Sequence, residues 1–321
     1  MLTPAPDSKK SFRKEVNKIG LTLLGYEGAL FLTIIIYAII SILIQMQASK
    51  SLDEAGDALF SSLNENGWPS ILGIVLGMLF LVLFRKRKLV SPDLTVSKTP
   101  MNTTTFVRIL LCFLSAQSVF SLCGVGAERA FNAFGYSLMG EIDSATSTST
   151  TLSMLLYASF IGPIAEEIVF RGAVLRSLEK YGRVYAIVTS SILFGVFHAN
   201  LMQGLFATFA GLILAYVAME YSIKWAILLH VINNFVFSDG LGFLIQDFPD
   251  RTQGIITYTL YALFFVGGMI AFRKSKATVK SYLRENQVEK GRYRATFTAL
   301  WIVLYVAANL MLAIDGIEKL P

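Results

Sequence analysis

An all-α, polytopic bundle of about 8–9 membrane-spanning helices is the fold this sequence predicts. Three observations carry that expectation. Hydrophobic residues make up 54% of the 321 and charged residues only 16%, outside the usual range of soluble domains. The charges cluster between apolar runs instead of spreading along amphipathic faces, so the helices offer little polar surface to water. Lys/Arg-rich and Lys/Arg-poor loops alternate along the chain, as they do when successive loops lie on opposite sides of a bilayer.

The elements follow in order. The first eighteen residues are polar and basic, with Lys9, Lys10, Arg13, Lys14 and Lys18. The run after them, Leu21–Met46, is too long for the apolar part of a cleaved signal and is expected to be an uncleaved first span. Glu27 sits early in it and is expected to snorkel or to mark a later helix start. The next runs are Ile71–Phe84, Thr105–Ala127 and Leu152–Phe170, the last expected to continue through Arg171 toward Leu178. Tyr185–Phe197, Leu205–Met219, Trp225–Phe237, Ile255–Phe272 and Ala295–Ile314 complete the set. Several are shorter than the ~20 residues a perpendicular crossing needs, so their ends must extend into flanking sequence. Cys112 and Cys123 share the third run, too far apart along a helix for a disulfide, and are read as packing residues.

Loop charges set the topology. The loop at 47–69 holds Asp53, Glu54, Asp57 and Glu65 against Lys50; Arg85-Lys86-Arg87-Lys88 follows, then a loop with Glu128, Glu141 and Asp143 against Arg129. The turn at 176–183 is basic (Arg176, Lys180, Arg183), Asp239, Asp247 and Asp250 come next, and 273–294 is basic again. This pattern places the N-terminal segment 1–18 and the basic loops in the cytoplasm. The net charge of +6 is thereby assigned to topology and anionic lipid head groups, and a nucleic-acid role is set aside. No internal repeat or second soluble domain is apparent. The expectation is one integral membrane domain, 1–321, whose chemistry lies within or beside the bilayer.

Ionisable groups inside spans are expensive and rare, so each is a functional candidate. Three clusters qualify: Glu166-Glu167-Ile168-Val169-Phe170-Arg171, Phe194-Gly195-Val196-Phe197-His198, and His230-Val231-Ile232-Asn233-Asn234. Both histidines of the chain fall in or at the end of membrane runs. Glu167 and Arg171 are four apart and can pair on one helix face. Glu166 lies about 100° around the helix without a local partner, and a desolvated carboxylate of that kind suits a general base. His230 and Asn234 share the four-residue spacing, as do Phe194 and His198, whose rings can pack.

Each cluster also has a plainer structural reading. The glutamates and Arg171 could be a helix-end pair at the interface, His198 an interhelical hydrogen bonder, and His230 with Asn234 polar glue between helices. Together, within 69 residues, they favour one reaction centre. Depth gives partial support. Glu166 and His198 lie fourteen and fifteen residues from the basic turn at 180–183, roughly 20 Å along their helices. His230 is only six residues from Lys224, which fits less well.

The Glu-Glu-x-x-x-Arg, Phe-x-x-x-His and His-x-x-x-Asn motifs, in this order, resemble the CPBP (Abi) family. It comprises CAAX prenyl proteases of the Ras-converting-enzyme type and bacteriocin-processing relatives. The resemblance covers about Leu152 to Asp239, a motif-bearing core of roughly a quarter of the chain. It implies an intramembrane peptidase in which Glu166 activates water, His198 helps hold that water, and His230 and Asn234 donate to the developing oxyanion. Glu167, Arg171 and Phe194 would be structural. The outer helices carry no such marks.

No cofactor is expected, although Glu166, His198 and His230 could form a zinc site. The amide at Asn234 and the absence of a His-Glu-x-x-His helix favour the metal-free route. No acyl-enzyme is expected either; Ser190 and Ser191 read as packing residues. The partners implied are a peptide or protein substrate, membrane-anchored or free, and lipid. By analogy with the family the setting is a bacterial plasma membrane. Two other classes fit less of the pattern: a non-enzymatic immunity or scaffold protein that binds a peptide, and a proton-coupled transporter.

Overall fold

The computed structural model describes residues 9–48, 51–85, 94–146 and 149–320; Lys86-Arg87-Lys88 and the first eight residues lie outside them. All nine apolar runs fall on helix. Twelve helices are numbered here: α1 (Lys9–Gln47), α2 (Leu52–Glu65), α3 (Trp68–Arg85), α4 (Thr103–Asn132), α5 (Met139–Thr146), α6 (Leu152–Tyr181), α7 (Arg183–Phe197), α8 (Leu201–Glu220), α9 (Ile223–Ile245), α10 (Asp250–Glu285), α11 (Arg292–Phe297) and α12 (Leu300–Asp315). Two short strands, β1 (Tyr136–Ser137) and β2 (Glu318–Lys319), pair antiparallel.

Six of these helices, α1, α4, α6, α8, α9 and α10, are long and apolar enough to cross a membrane. Helices α2 and α3 together make a seventh, bent by 66°, and α7 and α12 are shorter apolar helices. The expected 8–9 crossings are therefore approximate. Much of the surface is greasy: Ile35, Ile36, Ile39, Ile40 and Leu43 of α1 are all about half exposed. A contiguous apolar face of that kind is the signature of contact with lipid. The chain is an integral membrane protein.

Several boundaries differ from the sequence expectation. Part of the acidic loop at 47–69 is α2, opened by a capping box in which Ser51 and Glu54 bond each other's backbone N–H. The basic stretch from 273 stays helical to Glu285, because α10 carries its polar C-terminal turns beyond the apolar section. The last run breaks at Thr298–Ala299 and restarts at Leu300. Helix α1 starts at Lys9, so Glu27 marks no later start, and it is buried instead of snorkelling.

Helices meet where side chains are small, as expected when lipid is as apolar as leucine and close packing drives association. A Cβ at Gly195 of α7 would lie 1.9 Å from Thr208 Oγ1 and 2.5 Å from the Gly204 carbonyl of α8. A Cβ at Gly20 of α1 would strike the backbone at Trp301 in α12, 2.5 Å away. Across α4 and α10, which run antiparallel, Ser118 Oγ donates to Tyr261 O at 2.6 Å.

Helix α6 is not a regular α-helix. Leu156–Ile161 and Ile168–Val174 are π-helical, as is Ile232–Gly240 of α9. Pro163 has no N–H, so the carbonyl of Ser159 cannot receive the usual bond from four residues on. The Gly162 N–H bonds Tyr157 O instead, and the turn widens. Glu166 and Glu167 occupy the short α-helical stretch between the two wide turns. Such segments frequently mark functional sites.

Candidate active site

Helices α6, α7 and α9 bring the three motif clusters together. Glu167 and Arg171 are fully buried and pair at 3.1 Å (Oε1 to Nη1). Arg171 also lies over the Phe194 ring, 4.1 Å from its centroid, and reaches toward Gly211 O. Gly211 leaves the room: a Cβ there would sit 3.2 Å from both Arg171 Nη2 and the Phe194 ring. A buried guanidinium is costly unless it is paired and packed, and here an anion, an aromatic face and a carbonyl surround it.

His230 is held by the same glutamate. Its Nδ1 lies 3.0 Å from Glu167 Oε1, which sets Nδ1 as the donor. Its Nε2 is thereby turned to Glu166, 3.7 Å from Oε2. Glu166 has no partner on its own helix, and His230 faces it from the neighbouring one. The mismatch in depth anticipated for His230 disappears because α9 starts deep. A Cβ at Gly172 would be 3.7 Å from Ile223, the first residue of α9, and seven residues on from there His230 is level with Glu166.

His198 ends α7. Its Nδ1 donates to Phe194 O at 2.9 Å, leaving Nε2 for the cavity. The Phe194 ring packs edge-on against both imidazoles, at 4.8 Å from His198 and 5.9 Å from His230. Ala199 follows with φ of 46°, a left-handed turn that carries an energetic cost for a residue with a Cβ.

Asn234 lies where α9 widens, so the four-residue spacing from His230 is not an ordinary helical face. Its Nδ2 donates to Ala158 O at 2.9 Å, which engages one of the two N–H groups assigned to an oxyanion and leaves the other. Its Oδ1 accepts from Asn233, which accepts in turn from Gln117 Nε2 at 2.9 Å. This row of amides fixes which way the Asn234 group points. Ser190 and Ser191 are buried and bond Ile187 O, in keeping with packing roles.

Glu166, His198, His230 and Asn234 all line one cavity of about 700 Å³, within the ordinary range for ligand sites. A polar pair in its wall comes from helices that seemed unmarked. Glu27 of α1 and Asn309 of α12 meet there, with Asn309 Nδ2 3.1 and 3.0 Å from the two carboxylate oxygens. Their signal was present in the sequence, a polar residue within each of two outer apolar runs. Among the described residues no group of three or more His, Cys, Asp or Glu side chains could hold a metal ion.

Residues 148–236 match the family model described as "Type II CAAX prenyl endopeptidase Rce1-like". The motif-bearing segment is similar to the Rce1-like family. All four residues assigned to chemistry fall inside that match, and the resemblance to the CPBP family is borne out. Over 83 residues the chain is 35% identical to a Bacillus subtilis (strain 168) protein described as "Putative membrane peptidase YdiL". The matched stretch is 25% of this chain and 34% of that relative, so the chain spans about a third of the curated relative's length. No solved structure matches the chain.

Proposed function

We propose that the protein is an intramembrane endopeptidase that cuts a membrane-associated peptide or protein near its C-terminus or leader, with Glu166 as general base. The observation that carries this is the Glu166 carboxylate in the cavity wall, faced by a His230 ring that Glu167 orients from behind. In this reading a water between Glu166 and His198 loses a proton to Glu166 while its oxygen attacks the peptide carbonyl. The C–O bond forms, the carbonyl becomes an oxyanion, and His230, in the doubly protonated form that carries Nε2–H as well as Nδ1–H, and the second Asn234 N–H donate to it. Glu166 then returns the proton to the amide nitrogen, the C–N bond breaks, and a carboxylic acid and an amine leave. No step runs through a metal. We place the N-terminus in the cytoplasm of a bacterium, with the protein in the plasma membrane.

The test is cleavage of a quenched-fluorescence peptide library by detergent-purified protein. Glu166→Gln and Glu166→Ala should lose activity by about 10²–10⁴-fold, the range for removing a positioned base, and chelator should have no effect. Chelator-sensitive cleavage would return a metal to the site. Peptide binding without any cleavage by folded wild type would replace the peptidase with a peptide-binding scaffold.

A further inference from the structure

The Glu27–Asn309 pair does nothing in the mechanism above, yet it is built into the wall of the same cavity. Its depth can be read from neighbouring bonds. Tyr305 Oη donates to Leu193 O at 2.8 Å, so α12 and α7 run side by side in the same direction from Tyr185–Thr296 onward. Asn309 is one turn beyond Tyr305, level with Phe197 and His198. Glu27 therefore lies at the depth of the reaction centre.

Its electrostatics are unusual. Glu27 is only 5% exposed, and among the described residues it has no cationic partner. Asn309 supplies a single nitrogen to both of its oxygens and the Tyr305 hydroxyl adjoins it, whereas a carboxylate accepts about four hydrogen bonds. The described residues lining the cavity include two carboxylates, Glu27 and Glu166, and no lysine or arginine. Arg171, behind the wall, is taken by Glu167. Buried carboxylates are normally paired, and aromatic faces such as Phe31 and Phe197, which also line the cavity, attract cations.

We infer that Glu27, braced by Asn309, is a specificity residue that receives a cationic side chain of the substrate, a lysine or arginine close to the bond that is cut. The inference rests on the peptidase reading for its substrate, so binding is measured separately from cleavage. Octapeptide pools, with each position fixed in turn as arginine or as its uncharged isostere citrulline, are bound to full-length Glu166→Gln protein in detergent. At one or more positions arginine should bind about tenfold tighter than citrulline, the equivalent of about 1.4 kcal/mol. Adding Glu27→Gln, which keeps the shape and the Asn309 bond, should erase that difference. Glu27→Asp, which keeps the charge, should retain the preference and separates loss of charge from loss of fold.

No arginine preference at any position, or a preference that survives Glu27→Gln, overturns the inference. Arginine-selective binding without cleavage by wild type upholds the Glu27 site and removes the peptidase reading. Cleavage without arginine selectivity does the reverse.

Discussion

At the scale of single residues, Glu167 does the most joining. One of its oxygens meets both Arg171 and His230, so the same carboxylate neutralises a buried cation and orients the ring of a candidate oxyanion donor. Arg171→Met leaves that anion without its guanidinium and should destabilise the protein by about 3–5 kcal/mol, as breaking buried pairs does. The double variant Glu167→Gln/Arg171→Met should recover part of the loss in thermal melting while remaining inactive. Melting of Arg171→Met at the wild-type temperature would mean the pair is not structural. The pairs Glu167–Arg171 and Phe194–His198 were legible in the sequence because each lies within one helical turn. The contacts of His230 with Glu167, of Asn233 with Gln117 and of Glu27 with Asn309 were not. They join residues at least 63 apart, and no local spacing encodes which helices become neighbours.

At the scale of elements, hydropathy located every apolar helix, and the continuation of α6 through Arg171 to Leu178 followed from it. The π-helical turns did not follow, since widening a turn leaves the apolar pattern unchanged; only Pro163 gives a hint, through its missing donor. Small residues at crossings were equally silent, because glycine in an apolar run costs nothing in hydropathy. The crossing of α7 and α8 at Gly195 carries the clearest test. Gly195→Leu would drive a side chain into Thr208 and the Gly204 backbone. Overpacking of this kind costs about 1–3 kcal/mol, occasionally more, and here it should also displace His198, three residues on. The expected outcome is a lower melting temperature together with reduced peptide cleavage; Gly195→Ala should give a smaller loss of both. Equal behaviour of Gly195→Leu and wild type would show that the helices do not cross there.

At the scale of the whole molecule, one set of contacts closes the end that carries the basic turn. Lys98 and Arg176 both engage Glu179, and Arg183 and Tyr282 both engage Glu220. The loop charges that set topology are thus used a second time, to tie α6, α7, α8 and α10 together. At the other end β1 and β2 join Tyr136 to Lys319 and Ser137 to Glu318. That small ladder imposes a parity. Two segments that share hydrogen bonds share a face of the membrane, so the chain between them crosses an even number of times. The long helices α6, α8, α9 and α10 already make four passes, so the short helices α7 and α12 must both cross or both stop short. Because they run side by side in one direction, the expectation is that both cross. In a background without Cys112 and Cys123, a membrane-impermeant maleimide should reach Phe134→Cys and Lys319→Cys from one side and Lys290→Cys from the other. Labelling of positions 134 and 319 from opposite sides would break the parity, and labelling of 319 and 290 from the same side would mean that α7 and α12 both stop short, removing the route by which Asn309 reaches the depth of His198.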